Sequence, residues 1–89
     1  MAYLSRVKAG TKELTTTAAA ALSAGQDCRS VAVQNDPNNL VDVLVGDADS
    51  QVWQLVPGDS VVLSVTNVSM VYAKNVSSTT QSVNWLAIY

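Results

Sequence analysis

The feature that most constrains this chain is a series of short segments in which apolar and polar residues alternate. Fifteen valines and seven threonines are spread over the 89 residues, and only four glycines interrupt them. Both residue types are β-branched and favour strands, and strict alternation is typical of strands with one buried face. The pattern predicts strands near residues 3–8, 12–18, 28–34, 40–46, 51–56, 60–66, 69–74 and 82–88.

Turn-forming residues separate these segments, including Pro57-Gly58 and the stretches NDPNN (35–39) and GDADS (46–50). Pro, Gly, Asn and Asp favour turns because they fix or tolerate the backbone angles that turns require. Short connections of this kind favour antiparallel strands over the long crossovers that parallel strands need. The predicted fold class is therefore all-β: a small antiparallel β-sandwich or barrel, jelly-roll-like, of about eight short strands in one domain over residues 1–89.

Four local segments carry their own predictions. Residues 55–72 are predicted to form a hairpin closed by Pro57-Gly58, and Gly10-Thr11 is predicted to be a turn between two strands. The segment TTTAAAALSAG (15–25) contains four consecutive alanines, which favour a helix, but its threonines and all-β surroundings favour an extended edge strand. Residues 1–14 are either the first strand of the sheet or an arm that adds to the sheet edge of a neighbouring subunit.

Alternation also predicts which side chains face the core, because successive residues of a strand point to opposite faces. The predicted core consists of Val31, Val33, Val41, Val43, Val45, Val61, Leu63, Val65, Val83, Trp85 and Ala87. Four apolar residues at outward positions break the pattern, and we expect them to lie against a neighbouring subunit. With two residues of the N-terminal segment, the predicted interface consists of Tyr3, Leu4, Leu44, Val62, Leu86 and Ile88.

The composition narrows the range of partners. Hydrophobic residues make up 48% of the chain and charged residues 13%, which is a low charge content for a small soluble monomer and indicates that part of its surface is covered. The net charge is −2 and the five basic residues are scattered, so we expect no nucleic acid partner. No apolar run is long enough to span a membrane or to act as a secretory leader, so we expect neither a membrane nor Sec export.

Residues able to perform catalysis are scarce. The chain has no histidine, which removes the usual catalytic triads and zinc ligand sets. The single cysteine, Cys28, forms no intrachain disulfide, and without a histidine base we expect it to be a small buried strand residue. Asp47 and Asp49 are spaced like the start of a calcium loop, but the later glycine and glutamate of such a loop are missing, so a hairpin turn is expected. We predict a protein that is not an enzyme and holds no metal or cofactor.

Trp53 and Trp85 are the two largest aromatic residues. An exposed tryptophan can stack on a sugar ring, so these residues are the candidate contacts of a glycan. The other interpretation is that they fill a small β core or an oligomer interface.

Between residues 28 and 89 the chain carries three stretches in order: CRSVAVQNDPNNLVDVLVGD, LVPGDSVVLSVTNVSMVYAKN and VNWLAIY. The diagnostic residues are Val33, Gln34, Asn35, Val45, Gly46, Asp47, Leu55, Pro57, Gly58, Ser60, Val61, Leu63, Asn67, Ser69, Val71 and Tyr72. This ordered set resembles the small β-sandwich head decoration proteins, of the capsid-stabilising or cement type, of tailed bacteriophages.

The resemblance implies a non-enzymatic structural part of a virion. We expect a homotrimer that binds the phage major capsid protein on the capsid surface, after assembly in the host cytoplasm. A subunit that binds only the assembled shell shifts the equilibrium toward the intact particle by mass action. Two alternatives stay open: a carbohydrate-binding or adhesive β-sandwich module, and a phage tail, neck or fibre component.

Overall fold

A computed structural model describes residues 6–15, 17–77 and 79–89 of the chain. The strands are β1 (Val7–Leu14), β2 (Ala20–Ala21), β3 (Ser30–Asn35), β4 (Val43–Gly46), β5 (Gln51–Leu55), β6 (Ser60–Leu63), β7 (Tyr72–Asn75) and β8 (Gln81–Ile88), with a 3₁₀ turn at Val68–Met70. They form two antiparallel four-stranded sheets, which confirms the all-β sandwich predicted from the sequence. Tyr3 and Leu4 of the predicted interface lie outside the described residues.

The order of the strands identifies the architecture. Sheet I has the order β1-β8-β3-β6 and sheet II the order β2-β7-β4-β5. Thus β1 pairs with β8, β2 with β7, β3 with β6 and β4 with β5. The chain is one long hairpin, with its tip at the β4–β5 turn, that is wrapped into two layers. This arrangement is a jelly roll, in which four strands from the first half of the chain alternate with four from the second.

The tip of the long hairpin is built by Asp47. Its backbone N–H donates to the carbonyl of Ser50 (3.0 Å), and its Oδ1 accepts from the backbone N–H groups of Asp49 and Ser50 (2.9 Å each). Aspartate side chains form such turns because the carboxylate satisfies backbone donors that the turn leaves unpaired. The hairpin turn predicted over 46–50 is confirmed.

The Pro57-Gly58 turn joins the two sheets and does not close a hairpin. Asp59 N–H donates to the Val56 carbonyl (2.9 Å), and Gly58 has φ +91°, an angle that glycine adopts at little steric cost. The strands on either side are β5 of sheet II and β6 of sheet I, so the hairpin predicted over 55–72 is wrong. The cause is Asn35 of β3, which accepts from Gly58 N–H (2.9 Å) and donates to the Asp59 carbonyl (3.0 Å), drawing the turn toward sheet I.

Gly10 and Thr11 form no turn but lie inside β1, which pairs with β8 over all eight residues. The predicted break between strands 3–8 and 12–18 is therefore wrong. Gly10 lies opposite Trp85, and a β-carbon at this position would overlap atoms Cζ2 and Cε2 of the indole. A glycine is needed at this position because the tryptophan ring packs close to its backbone. The sequence alone cannot distinguish this role of a glycine from a role in a turn.

In two further segments the strands are shorter than the sequence pattern predicts. Within 15–25, the described residues (15 and 17–25) contain only the two-residue strand β2, an edge strand of sheet II, which agrees with the extended interpretation over the helical one. The strand predicted over 69–74 starts later, at Tyr72, because Asn67 Oδ1 accepts from Ser69 N–H (2.9 Å) and caps the 3₁₀ turn. Residues 7–14, for which an arm was the alternative, form an edge strand of the chain's own sheet I.

The space between the sheets is filled mainly by small β-branched side chains. The buried apolar residues are Leu14, Leu22, Cys28, Val31, Val33, Val43, Val45, Leu55, Val68, Val71, Ala73, Val83, Trp85 and Ala87. Of the predicted core, Val41, Val61, Leu63 and Val65 are only partly buried. Val61 and Leu63 lie on β6, an edge strand, and Val41 and Val65 lie outside the strands. Each fully buried valine contributes about 1.5 kcal/mol or more to the hydrophobic stabilisation.

Buried amides close one end of the sandwich. The Nδ2 group of Asn35, which has no exposed surface, donates to the carbonyls of Val41 (3.1 Å) and Leu55 (2.9 Å). Its Oδ1 accepts from Asn39 Nδ2 (2.5 Å). These bonds tie the end of β3 in sheet I to the end of β5 in sheet II, where the two layers would otherwise leave carbonyls unpaired.

Gly10→Ala is expected to lower the free energy of unfolding by about 1–3 kcal/mol, because the added methyl group forces the Trp85 indole out of its packed position. Gly25→Ala is the matched control, since nothing lies within 4 Å of the added carbon. Thermal or urea unfolding measures both variants. Equal stability of the two would contradict the packing role of Gly10.

Asn35→Ala is expected to cost about 2–4 kcal/mol of unfolding free energy, because two carbonyls lose their donor inside the protein. Asn38→Ala, at an exposed residue of the same loop, removes one side-chain hydrogen bond to Asp36 and should change stability by about 1 kcal/mol or less. Urea unfolding followed by tryptophan fluorescence gives both values. A loss at Asn35 as small as that at Asn38 would disprove the proposed link between the sheets.

Candidate functional site

The surface that stands out is the outer face of sheet I, the side turned away from the core. Opposite residues in an antiparallel register lie on the same face, so the strand pairings arrange this surface in rows. The apolar row crosses all four strands through Ala9, Leu86, Ala32 and Val62. The polar row runs beside it through Thr11, Asn84, Gln34 and Ser60.

Hydrogen bonds along the polar row hold its side chains in place. Thr11 Oγ1 donates to Asn84 Oδ1 (2.9 Å). Asn84 Nδ2 donates to Gln34 Oε1 (3.2 Å) and to Asp36 Oδ2 (3.1 Å). The row is therefore a preorganised strip of amides and hydroxyls, which lowers the entropy cost of any contact it makes.

A shallow depression of about 610 Å³ lies where the two rows meet. Its lining includes Ala9, Ala32, Gln34, Asn84 and Leu86. The two alanines leave the depression open, because their methyl groups are the smallest apolar side chains on the face. Beside them, Leu86 is 40% exposed and Val62 is 67% exposed. Large and small apolar groups thus alternate along the apolar row.

The outer face of sheet I carries little charge. Among its described positions the charged residues are Glu13 and Asp36, which flank Ser82 at one end of the face. The outer face of sheet II also presents two charged residues, Asp42 and Lys74, but Lys74 lies on the central strand β7, opposite Leu44, and not at the end of the face. A sheet face that stays in water normally carries more charge than the outer face of sheet I, so this face is the candidate interaction surface.

Three of the predicted interface residues lie together on this face: Val62, Leu86 and Ile88. Leu44 lies on the outer face of sheet II, between Lys74 and Gln54, and does not join them. Sequence analysis missed the six other residues of the two rows, Ala9, Thr11, Ala32, Gln34, Ser60 and Asn84. Their outward orientation follows from strand alternation, but only the register between distant strands brings them into rows.

The two tryptophans have different surroundings. Trp53 is 62% exposed on β5, an edge strand of sheet II. Trp85 is 9% exposed and packs in the core beside Gly10, so little of its ring is open to a glycan. Alternation turns Trp85 inward with Val83 and Ala87, and the absent side chain of Gly10 makes room for its ring. Trp53 is the remaining candidate for stacking on a sugar ring.

Cys28 has the properties of a structural residue. Its Sγ donates to the Val65 carbonyl (3.2 Å), and the residue is buried. Burial raises the pKa of the thiol, and the Asp27 carboxylate raises this pKa further. A raised pKa disfavours the thiolate that nucleophilic attack requires.

The Asp47 carboxylate accepts two backbone hydrogen bonds within the hairpin turn. Within residues 6–15, 17–77 and 79–89, no group of three or more His, Cys, Asp or Glu side chains is arranged to hold a metal ion. The same residues form no helix with the length and apolarity that a membrane crossing requires.

Comparison of the chain with protein-family models, with curated proteins and with solved structures finds no match. The site is therefore interpreted from its own residues.

Asp36 makes the stability of the polar row depend on pH. The backbone N–H of Asn38 (2.9 Å) and then the amide of Asn84 (3.1 Å) hold the pKa of Asp36 below its ordinary value. A carboxyl whose pKa falls on folding stabilises the fold above its unfolded pKa of about 3.9, and this contribution is lost as the pH falls through the folded value.

Asp36→Asn is therefore expected to lower the urea midpoint at pH 7 and to have a smaller effect at an acidic pH below the lowered pKa of Asp36, where the native carboxyl is also neutral. Asp49→Asn, which removes an exposed carboxylate in the β4–β5 turn, is the control. An equal effect of Asp36→Asn at both pH values would contradict the charge-assisted role of this carboxylate.

Proposed function

We propose that this chain is a non-enzymatic structural protein of a virion, which binds the outer surface of a phage capsid as an oligomer and stabilises the shell. The observation that carries the proposal is the outer face of sheet I. Over four strands it presents exposed apolar side chains and preorganised amides, and its charged residues Glu13 and Asp36 lie at one end. Such a face suits association with other protein surfaces.

The jelly-roll topology supports the same role. Jelly rolls recur in viral capsid proteins and in lectins, so the fold is compatible with the proposed role and with its main alternative. Fold alone does not assign function, so the choice between these two roles depends on the residues of the surface. At the described outward positions of sheet I no residue is aromatic, and Trp85, which lines the depression, is only 9% exposed, which favours a protein partner over a sugar.

Stabilisation of a shell needs no catalytic group. A subunit that binds the assembled capsid and not the free capsid protein stabilises the assembled state by about 2.7 kcal/mol per site when its free concentration is about 100 times the dissociation constant. Many weak apolar and backbone contacts, repeated by symmetry, are sufficient for this effect. The low charge content and the small valine-rich domain fit such a role.

The exposure of Trp53 favours a second candidate function, a carbohydrate-binding or adhesive module. Its indole is 62% exposed on an edge strand, next to the exposed Val52. Burial of a tryptophan face on a sugar ring is a common way for a β-sandwich surface to bind glycans. This interpretation needs one residue, whereas the structural interpretation uses a whole sheet face.

The test of the capsid role uses capsids assembled from the major capsid protein encoded in the same genome, purified without this chain. We expect saturable co-sedimentation of the purified protein with the capsids and a capsid melting temperature raised by several degrees, about what an added few kcal/mol per site gives. No co-sedimentation of a protein that is folded by circular dichroism would refute the proposal. Glycan binding lost in a folded Trp53→Ala variant would then support the second candidate.

A further inference from the structure

We infer that the outer face of sheet I binds the same face of a second copy of this chain, about a two-fold axis that runs parallel to the strands between β8 and β3. This arrangement is an alternative to the trimer expected from the sequence. The inference rests on the order of side chains in the rows and does not depend on the capsid role. Interfaces of this symmetry require a surface that is complementary to itself.

The apolar row meets this requirement. Across the strands β1, β8, β3 and β6 its order is Ala9, Leu86, Ala32, Val62. A two-fold axis along the strands reverses this order in the second copy, so Leu86 faces Ala32 and Val62 faces Ala9. Every contact in the row joins a large side chain to a small one, and Leu86 of one copy enters the depression that Ala32 leaves in the other.

The polar row is self-complementary in the same way. Its order is Thr11, Asn84, Gln34, Ser60, and reversal places amide against amide and hydroxyl against hydroxyl. Asn84 already donates to Gln34 Oε1 within the chain, which leaves the Nε2 donor of Gln34 for a group outside it. The uncharged donors and acceptors of the two rows can therefore pair across the axis without burying a charge.

The rows of side chains on either side of the apolar and polar rows also place unlike residues opposite each other across the axis. Ile88 lies between Val7 and Ser30, and reversal places Ile88 against Ser30 of the second copy. At the other end, Ser82 lies between Glu13 and Asp36, and reversal places Asp36 against Ser82 and not against another Asp36. Neither end opposes like charges directly.

The size of the face limits the expected affinity. The strands β1, β8, β3 and β6 have eight, eight, six and four residues. At about 3.3 Å per residue and about 4.8 Å between strands, they give an area of about 400 Å² per copy. A face-to-face dimer therefore buries about 800 Å² in total, in the range of weak interfaces. We expect a dissociation constant on the order of ten micromolar. Two twisted sheets align within about 30°, so the central pair of Leu86 and Ala32 keeps its register best.

Sedimentation equilibrium of the full chain from about 1 to 100 µM tests the inference. The expected result is a monomer–dimer equilibrium. Ala32→Leu places a large side chain against Leu86 of the second copy and is expected to weaken the dimer by about tenfold or more. Because Ala32 points away from the core, thermal unfolding of the variant at low concentration should stay close to that of the native chain.

The decisive variant exchanges the large and the small side chain between positions 86 and 32. Ala32→Leu combined with Leu86→Ala again opposes large to small across the axis, so the dimer should return to within about threefold of the native affinity. Leu44→Ala, on the outer face of sheet II, is the control and should leave the equilibrium unchanged. A monomer at about 100 µM, a trimer, or a double variant weaker than Ala32→Leu alone would overturn the inference. Capsid co-sedimentation is measured separately, so failure of the dimer and failure of the capsid role are distinguishable.

Discussion

Asn35 makes the connection on which the two-layer structure depends. Its backbone pairs with the Pro57-Gly58 turn, and its side chain holds the carbonyls of Val41 and Leu55. Together these bonds direct the chain from the edge of sheet II to the edge of sheet I. A simple Pro-Gly hairpin would keep β6 beside β5, and sheet I would lose the strand that supplies Val62. A buried amide can enforce this crossing because each carbonyl left unpaired inside the protein costs about 1–3 kcal/mol.

The crossing of the chain from sheet II to sheet I also creates the outer face of sheet I. With β6 paired to β3, sheet I becomes four strands wide and its outer face holds two complete rows of side chains. The core is made of small side chains, so the margin of stability in a domain of 89 residues is narrow. Partners that cover the outer face add stabilisation that the core does not supply. The features that make the isolated domain marginal therefore favour its use as a part of a larger assembly.

The residues predictable from the sequence are those governed by neighbours along the chain. Val31, Val33 and Val83 were correctly placed in the core by alternation, and Val62 and Leu86 were correctly placed outside it. The failures involve residues that serve distant partners. Gly10 resembles a turn glycine but makes room for an indole 75 positions away, and the partner of β6 depends on bonds from β3 to a later turn.

Alternation and turn chemistry act over two to five residues. For that reason the sequence by itself determined most of the strands, most of the core and the outward positions of Val62, Leu86 and Ile88. Only the tertiary structure decided which strands pair, and with that the rows of the outer face. Pairing in a jelly roll joins β1 to β8 across almost the whole chain. Its register is set by the combined packing of both sheets and by buried amides such as Asn35, whose partners lie in other strands and loops.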